Sequence, residues 1–150
     1  MYKNDLLLTA AIAGSAAAVL ANLTLYLINL FLDGPTINMP QLSVEFFLNI
    51  DDYTVLHKIM GFIWSLAVGG AYAFIYLIIL QKTGWNYLLI KAIIAISGIW
   101  LLAGGFVIRV AEVGQYVRGE PLSVLAFFIA HLCFALYLSY FVNKLSGQQR

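Results

Sequence analysis

The chain has 150 residues, 63% hydrophobic and 10% charged, with a net charge of +1 and a mean hydropathy of +0.91. A soluble domain carries about 25% charged residues, so there is too little polar surface here for water on every side. The near-neutral balance without a basic patch excludes a nucleic-acid partner, and the single cysteine, Cys133, excludes an intrachain disulfide.

Leu6–Leu32, Ile59–Gln81 and Pro121–Asn143 contain no charged residue, and Thr83–Ile108 is interrupted only by Lys91. A hydrocarbon core of about 30 Å needs roughly 20 helical residues, and continuous rather than alternating apolar runs point to helices instead of barrel strands. The expected fold is all-α. It is a single domain, residues 1–150, forming a four-helix transmembrane bundle with helices at about 5–32, 53–81, 85–112 and 121–143. A short interfacial amphipathic helix is expected in the first outer loop.

The first helix follows a thin basic start, Lys3, but its apolar run continues to Leu32. That exceeds the h-region of a signal peptide, about 7–15 residues, and the segment reads as a retained helix. It stops at Asp33-Gly34-Pro35, a strong turn signal. In the connection that follows, Pro40 can open a short helix. Leu42, Phe46 and Ile50 recur there at spacing four, with Gln41, Glu45 and Asn49 on another face. This is the pattern of a helix lying in the membrane interface, too short to span.

Asp51 and Asp52 are N-cap candidates for the second helix. Lys82-Thr83-Gly84 makes a tight hairpin into the third, with Trp85 and Tyr87 as aromatic anchors and Lys91 able to snorkel. Pro121 stands where the first residue of the fourth helix belongs. Small residues run along the helices at spacing four: Ala10, Gly14 and Ala18, leading to Asn22, and Gly61, Ser65, Gly69 and Ala73, leading back to His57. Gly98 and Gly105 lead toward Arg109 and Glu112. Lipid does not drive helices together hydrophobically, so close packing at such stripes has to contribute.

With the N-terminus inside, the inner face holds Lys3, Lys82, Lys91, Lys144 and Arg150 against Lys58, Arg109 and Arg118 outside. This places the chain as a multi-pass protein of the cytoplasmic membrane with both termini cytoplasmic. The polar residues within or at the ends of the spans, Asn22, Asn29, His57, Arg109, Glu112 and His131, then all fall in the outer half. At about 1.5 Å per residue, Asn22 and His131 lie about 15 Å deep and Asn29 and His57 roughly 5 Å deep. Arg109 and Glu112 stand at the boundary. Intramembrane ionisable groups are costly and face an interior or a watered cavity. Asn22, His57, Arg109, Glu112 and His131 are therefore the candidate lining of an outward-facing polar pocket.

Each has a structural alternative. Arg109 and Glu112 can pair at the interface, His57 can be an interfacial residue, and Asn29 can end its helix. Asn22 can be an interhelical hydrogen-bonding group, and His131, at the same depth, can rest neutral and donate to a carbonyl or to Asn22. Cys133, two residues from His131, points elsewhere, and Trp100 reads as packing. No phosphate loop, mid-depth carboxylate pair or His-Glu-x-x-His pattern occurs, so neither catalysis nor a resident metal or cofactor is expected.

The stretch Leu56-His57-Lys58-Ile59-Met60-Gly61-Phe62-Ile63-Trp64, with Gly69-Gly70 after it, resembles the histidine-bearing helix of small bacterial membrane proteins of the copper-resistance-D and haem-dependent protoporphyrinogen oxidase type. The resemblance covers one helix. It implies that His57 could face a haem or copper ion. Three function classes follow: a binding or accessory subunit, alone as a homo-oligomer or with a partner membrane protein; a b-type haem electron-transfer protein using His57 and His131; and a small oligomeric transporter. For the last, a resemblance between the two helical hairpins and the mid-depth His131 are the support.

Overall fold

A computed structural model describes residues 5–33, 36–48, 53–114 and 119–147. Their regular structure is all helical, with no strand among them. The order is α1 (Leu6–Asn29), α2 (Met39–Glu45), α3 (Val55–Thr83), α4 (Leu88–Leu102), a π-helical turn (Ala103–Val107), α5 (Ile108–Val110) and α6 (Pro121–Gly147). Four stretches, Leu6–Asn29, Val55–Thr83, Leu88–Phe106 and Pro121–Ser146, are long and apolar enough to cross a membrane. The fold is the expected four-helix bundle with a short helix in the first long connection, and the chain is a multi-pass integral membrane protein.

The ends are set by local chemistry. The Asp5 carboxylate accepts the Leu8 amide at 3.0 Å and so caps α1. Asn38 does the same for α2 through the Gln41 amide at 3.3 Å, with Pro40 in the first turn. The N-cap of α3 is Thr54; Asp51 and Asp52, expected in that role, lie outside the described residues. So do Gly34, Pro35, Asn49, Ile50, Arg118, Lys3 and Arg150. At the hairpin, Lys91 Nζ donates to the Thr83 and Gly84 carbonyls at 3.0 and 2.8 Å. It thereby satisfies orphan acceptors at the end of α3 while keeping its charge at the membrane edge.

Helix α1 is the centre of the bundle, packed on α3 along one side and on α6 along the other; α4 packs mainly on α6. The small-residue stripes explain the first contact. A Cβ at Gly14 would collide with the Gly69 carbonyl, and one at Gly69 would stand 2.7 Å from the Ala18 Cβ. The two backbones therefore touch where only glycine fits. Gly98 and Gly105, by contrast, meet nothing within 4 Å. Their stripe faces away from the other helices, because α4 turns only Ala92 and Ile96 fully inward.

Two clusters fill the interior. Near the hairpin end, Tyr76, Leu77, Leu80, Ala92, Ile96 and Leu138 are fully buried, and the Tyr76 hydroxyl donates to the Leu88 carbonyl at 2.8 Å. At the other end, Leu25, Ile37, Leu42, Phe127 and Ala130 pack under α2. Helices α3 and α4 meet closely only beside their shared hairpin. Further along they separate, and the space between the clusters is left open.

Candidate functional site

That space is a cavity of about 290 Å³. Helix α1 contributes Ala18, Ala21 and Asn22 to its wall, and α3 contributes Trp64, Ser65, Gly69 and Tyr72. Trp100, Ala103 and Gly104 come from α4 and the π-helical turn, and Phe127, His131 and Phe134 from α6. Helix α2 covers it with Met39, Leu42 and Ser43, and the turn after α2 adds Phe46 and Phe47. An engineered apolar cavity of about 150 Å³ accepts benzene, so this one has room for a ring or for the upper part of an acyl chain.

The cover is held by specific contacts. Val44 of α2 is fully buried, and a Cβ at Gly61 would collide with the Pro40 carbonyl and the Val44 side chain. Glu45 accepts from Gln41 Nε2 at 2.7 Å and from the Gly114 amide at 3.2 Å, which ties α2 to the segment after α5. Asn29 Nδ2 donates to the Ile37 carbonyl at 2.7 Å, so this residue fixes the chain leading into α2. Tyr53, at the end of the same connection, has a buried hydroxyl without a partner among the described residues. Burial, and then the negative charge of Glu45, push its pKa above the usual tyrosine value.

Asn22 and His131 share the cavity but do not bond to each other. Asn22 Nδ2 donates to the Ala18 carbonyl at 2.8 Å and to Ser65 Oγ at 3.3 Å. The Ser65 hydroxyl in turn donates a hydrogen bond to the Phe62 carbonyl at 2.8 Å. His131 is 8% exposed, and its Nδ1 lies 2.9 Å from the Phe127 carbonyl. A carbonyl only accepts, so the proton is on Nδ1, and in the neutral ring Nε2 is an acceptor. Nε2 has no hydrogen-bond partner among the described residues. The ring packs edge-on against Phe127, centroids 4.5 Å apart, and sits 6.5 Å from the ring of Tyr72. Tyr72 in turn makes an edge contact with Phe134 at 6.1 Å.

The other three expected residues lie elsewhere. His57 is in the first turn of α3, where its Nδ1 accepts the Thr54 amide at 3.2 Å. Fifteen residues separate it from Tyr72, the neighbour of His131, which is about 22 Å of helix. The two histidines therefore cannot flank one haem iron, and the depth offset expected from the sequence is larger in the folded chain. Arg109 and Glu112 are exposed, away from the cavity. No ion pair joins them among the described residues. The π-helical turn changes the register just before Arg109, and Glu112 leaves the helix with a left-handed φ of 56°. No group of three or more His, Cys, Asp or Glu able to hold a metal occurs among the described residues.

Sequence reasoning missed Trp64, Ser65, Tyr72 and Trp100 as lining residues, and the cavity is more apolar than the polar pocket it anticipated. Ser65 was the one with a signal, since it stands on the same stripe as Gly61 and Gly69. Trp100, whose sequence context reads as packing, packs on Phe128 at 4.7 Å and also borders the cavity, with a buried indole N–H that has no partner among the described residues. No protein-family model matches the chain, and no characterised protein or solved structure is significantly similar to it.

Proposed function

We propose that this chain is a small-ligand binding protein of the cytoplasmic membrane, with α2 on the outer side, both termini in the cytoplasm, and its ligand held in the cavity beneath α2. The observation that carries the reading is the cavity itself: a mostly apolar space with a few convergent polar groups, the ordinary make-up of a ligand site. Its position beside a docked interfacial helix supports access at headgroup depth. Binding of this kind asks for no catalytic step. It also suits an accessory subunit acting with another membrane protein or a second copy.

The test is to fill the space. Ala103, half-buried on the π-helical turn, borders the cavity, and Ala103→Phe would project a ring into it. Native mass spectrometry of the gently solubilised wild type should show a bound small lipophilic molecule that Ala103→Phe loses at unchanged thermal stability. Equal occupancy in the two proteins, or no bound molecule in the wild type, would reject the reading.

A further inference from the structure

We infer that the ligand is a neutral lipid with a free hydroxyl, which it donates to Nε2 of His131. This rests on the cavity being a ligand site and names the chemistry that the site selects. The first observation is the state of the polar groups. The Ser43 and Ser65 hydroxyls donate hydrogen bonds to the Met39 and Phe62 carbonyls, and the Asn22 amide nitrogen donates to the Ala18 carbonyl and Ser65 Oγ. What remains at the cavity, among the described residues, is one donor, the Trp100 indole N–H, and two acceptors, Asn22 Oδ1 and Nε2 of His131, the latter on a side chain more than nine-tenths buried. Beside it stands Tyr72, whose hydroxyl has no hydrogen-bond partner among the described residues. A hydroxyl matches both, since it donates to Nε2 and can accept from tyrosine. An ether or ester oxygen can only accept.

The second observation is charge. Among the described residues no Asp, Glu, Lys or Arg lines the cavity, so a phosphate or ammonium head would enter a low-dielectric space without a counter-charge from them. A lipid with an uncharged head avoids that cost. The third is the route in. Phe46, Phe47 and Val68 line the cavity and are also exposed on the apolar outside of the bundle, so the mouth opens toward acyl chains. A water-borne solute would need a polar mouth, and this one is built from phenylalanine and valine.

Dioctanoylglycerol, which carries one free hydroxyl, is the probe, and its O-acetyl ester, with the same chains and no donor, is the control. Trp85 is replaced by phenylalanine so that fluorescence reports Trp64 and Trp100, both at the cavity. The purified full-length protein in detergent should bind dioctanoylglycerol saturably and about tenfold more tightly than the ester, the ratio expected for one hydrogen bond made in a site otherwise unable to pay for its acceptor. His131→Phe should bring the two affinities together while still binding both. Equal affinities in the wild type would overturn the hydroxyl inference and leave the cavity as a general apolar site, and so would a preference that survives His131→Phe. If His131→Phe does not fold, the wild-type ratio decides alone. Failure of the wild type to bind either probe would overturn this inference, and the mass-spectrometric comparison with Ala103→Phe then judges the cavity reading separately.

Discussion

The two histidines carry their protons on opposite nitrogens, and this separates their roles. His57 Nδ1 accepts the backbone amide of Thr54, so its neutral ring is protonated on Nε2; His131 is protonated on Nδ1 and presents Nε2 as an acceptor. Thr54-Val55-Leu56-His57 works as a capping box, with histidine in the place usually taken by Glu or Gln. Replacing His57 by alanine should therefore cost about 0.5–2 kcal/mol, the usual worth of a helix cap. His57→Gln should recover most of it, because a glutamine oxygen can accept the same amide. Thermal unfolding in detergent checks both, and probe binding at the cavity should be the same in all three proteins. A loss of binding with His57→Ala at unchanged stability would make His57 part of the site after all.

Among the elements, the α1–α3 crossing and the free face of α4 make opposite demands on glycine. At Gly69 an added methyl meets Ala18 at 2.7 Å and the Gly14 carbonyl oxygen at 2.7 Å. Gly69→Ala should thus force the helices apart and cost about 1–3 kcal/mol, as overpacking does. Gly98→Ala adds a methyl where nothing lies within 4 Å, and helix propensity alone should stabilise α4 by roughly 0.5–1 kcal/mol. Opposite shifts in melting temperature are the expected outcome, and shifts of the same sign would contradict the packing described. The short helix α2 obeys the same rule as α1 and α3. It lies directly on Gly61, so the cover of the cavity depends on a missing side chain in α3.

At the scale of the whole molecule, the ends of the bundle differ in kind. The hairpin end is closed by full burial and by the Tyr76–Leu88 and Lys91 hydrogen bonds. The other end is held by α2 and by single polar ties from Asn29 and Glu45. Openings of a structure are drawn from its least-packed parts, which places any ligand movement at the α2 end. In the proposed topology, which follows the Lys and Arg bias, that end faces outside. With Cys133→Ser as background, Asp33→Cys should react with a membrane-impermeant thiol reagent in intact cells, and Asn86→Cys, in the hairpin, only after permeabilisation. The reverse pattern would invert the proposed topology.

Apolar run length, turn residues and helix-start chemistry are local, and they determined the helix count, the hairpin, the interfacial helix and the stripes of small residues. The depth of a residue along a straight helix is also local arithmetic, and it put Asn22 and His131 at one level. Direction around the helix and the separation between helices are not local. Only the tertiary structure decided that Gly98 of α4 and Gly105 of the π-helical turn face outward, that this turn breaks the register before Arg109, and that α3 and α4 leave a cavity between them. It also decided that Asn22 and His131 bond to backbone carbonyls of their own helices. Inside a membrane a side-chain donor can be satisfied by the carbonyl one turn back as well as by a neighbouring helix, and the sequence holds no preference between the two. The choice follows from how closely the helices approach, which is set by all their contacts together.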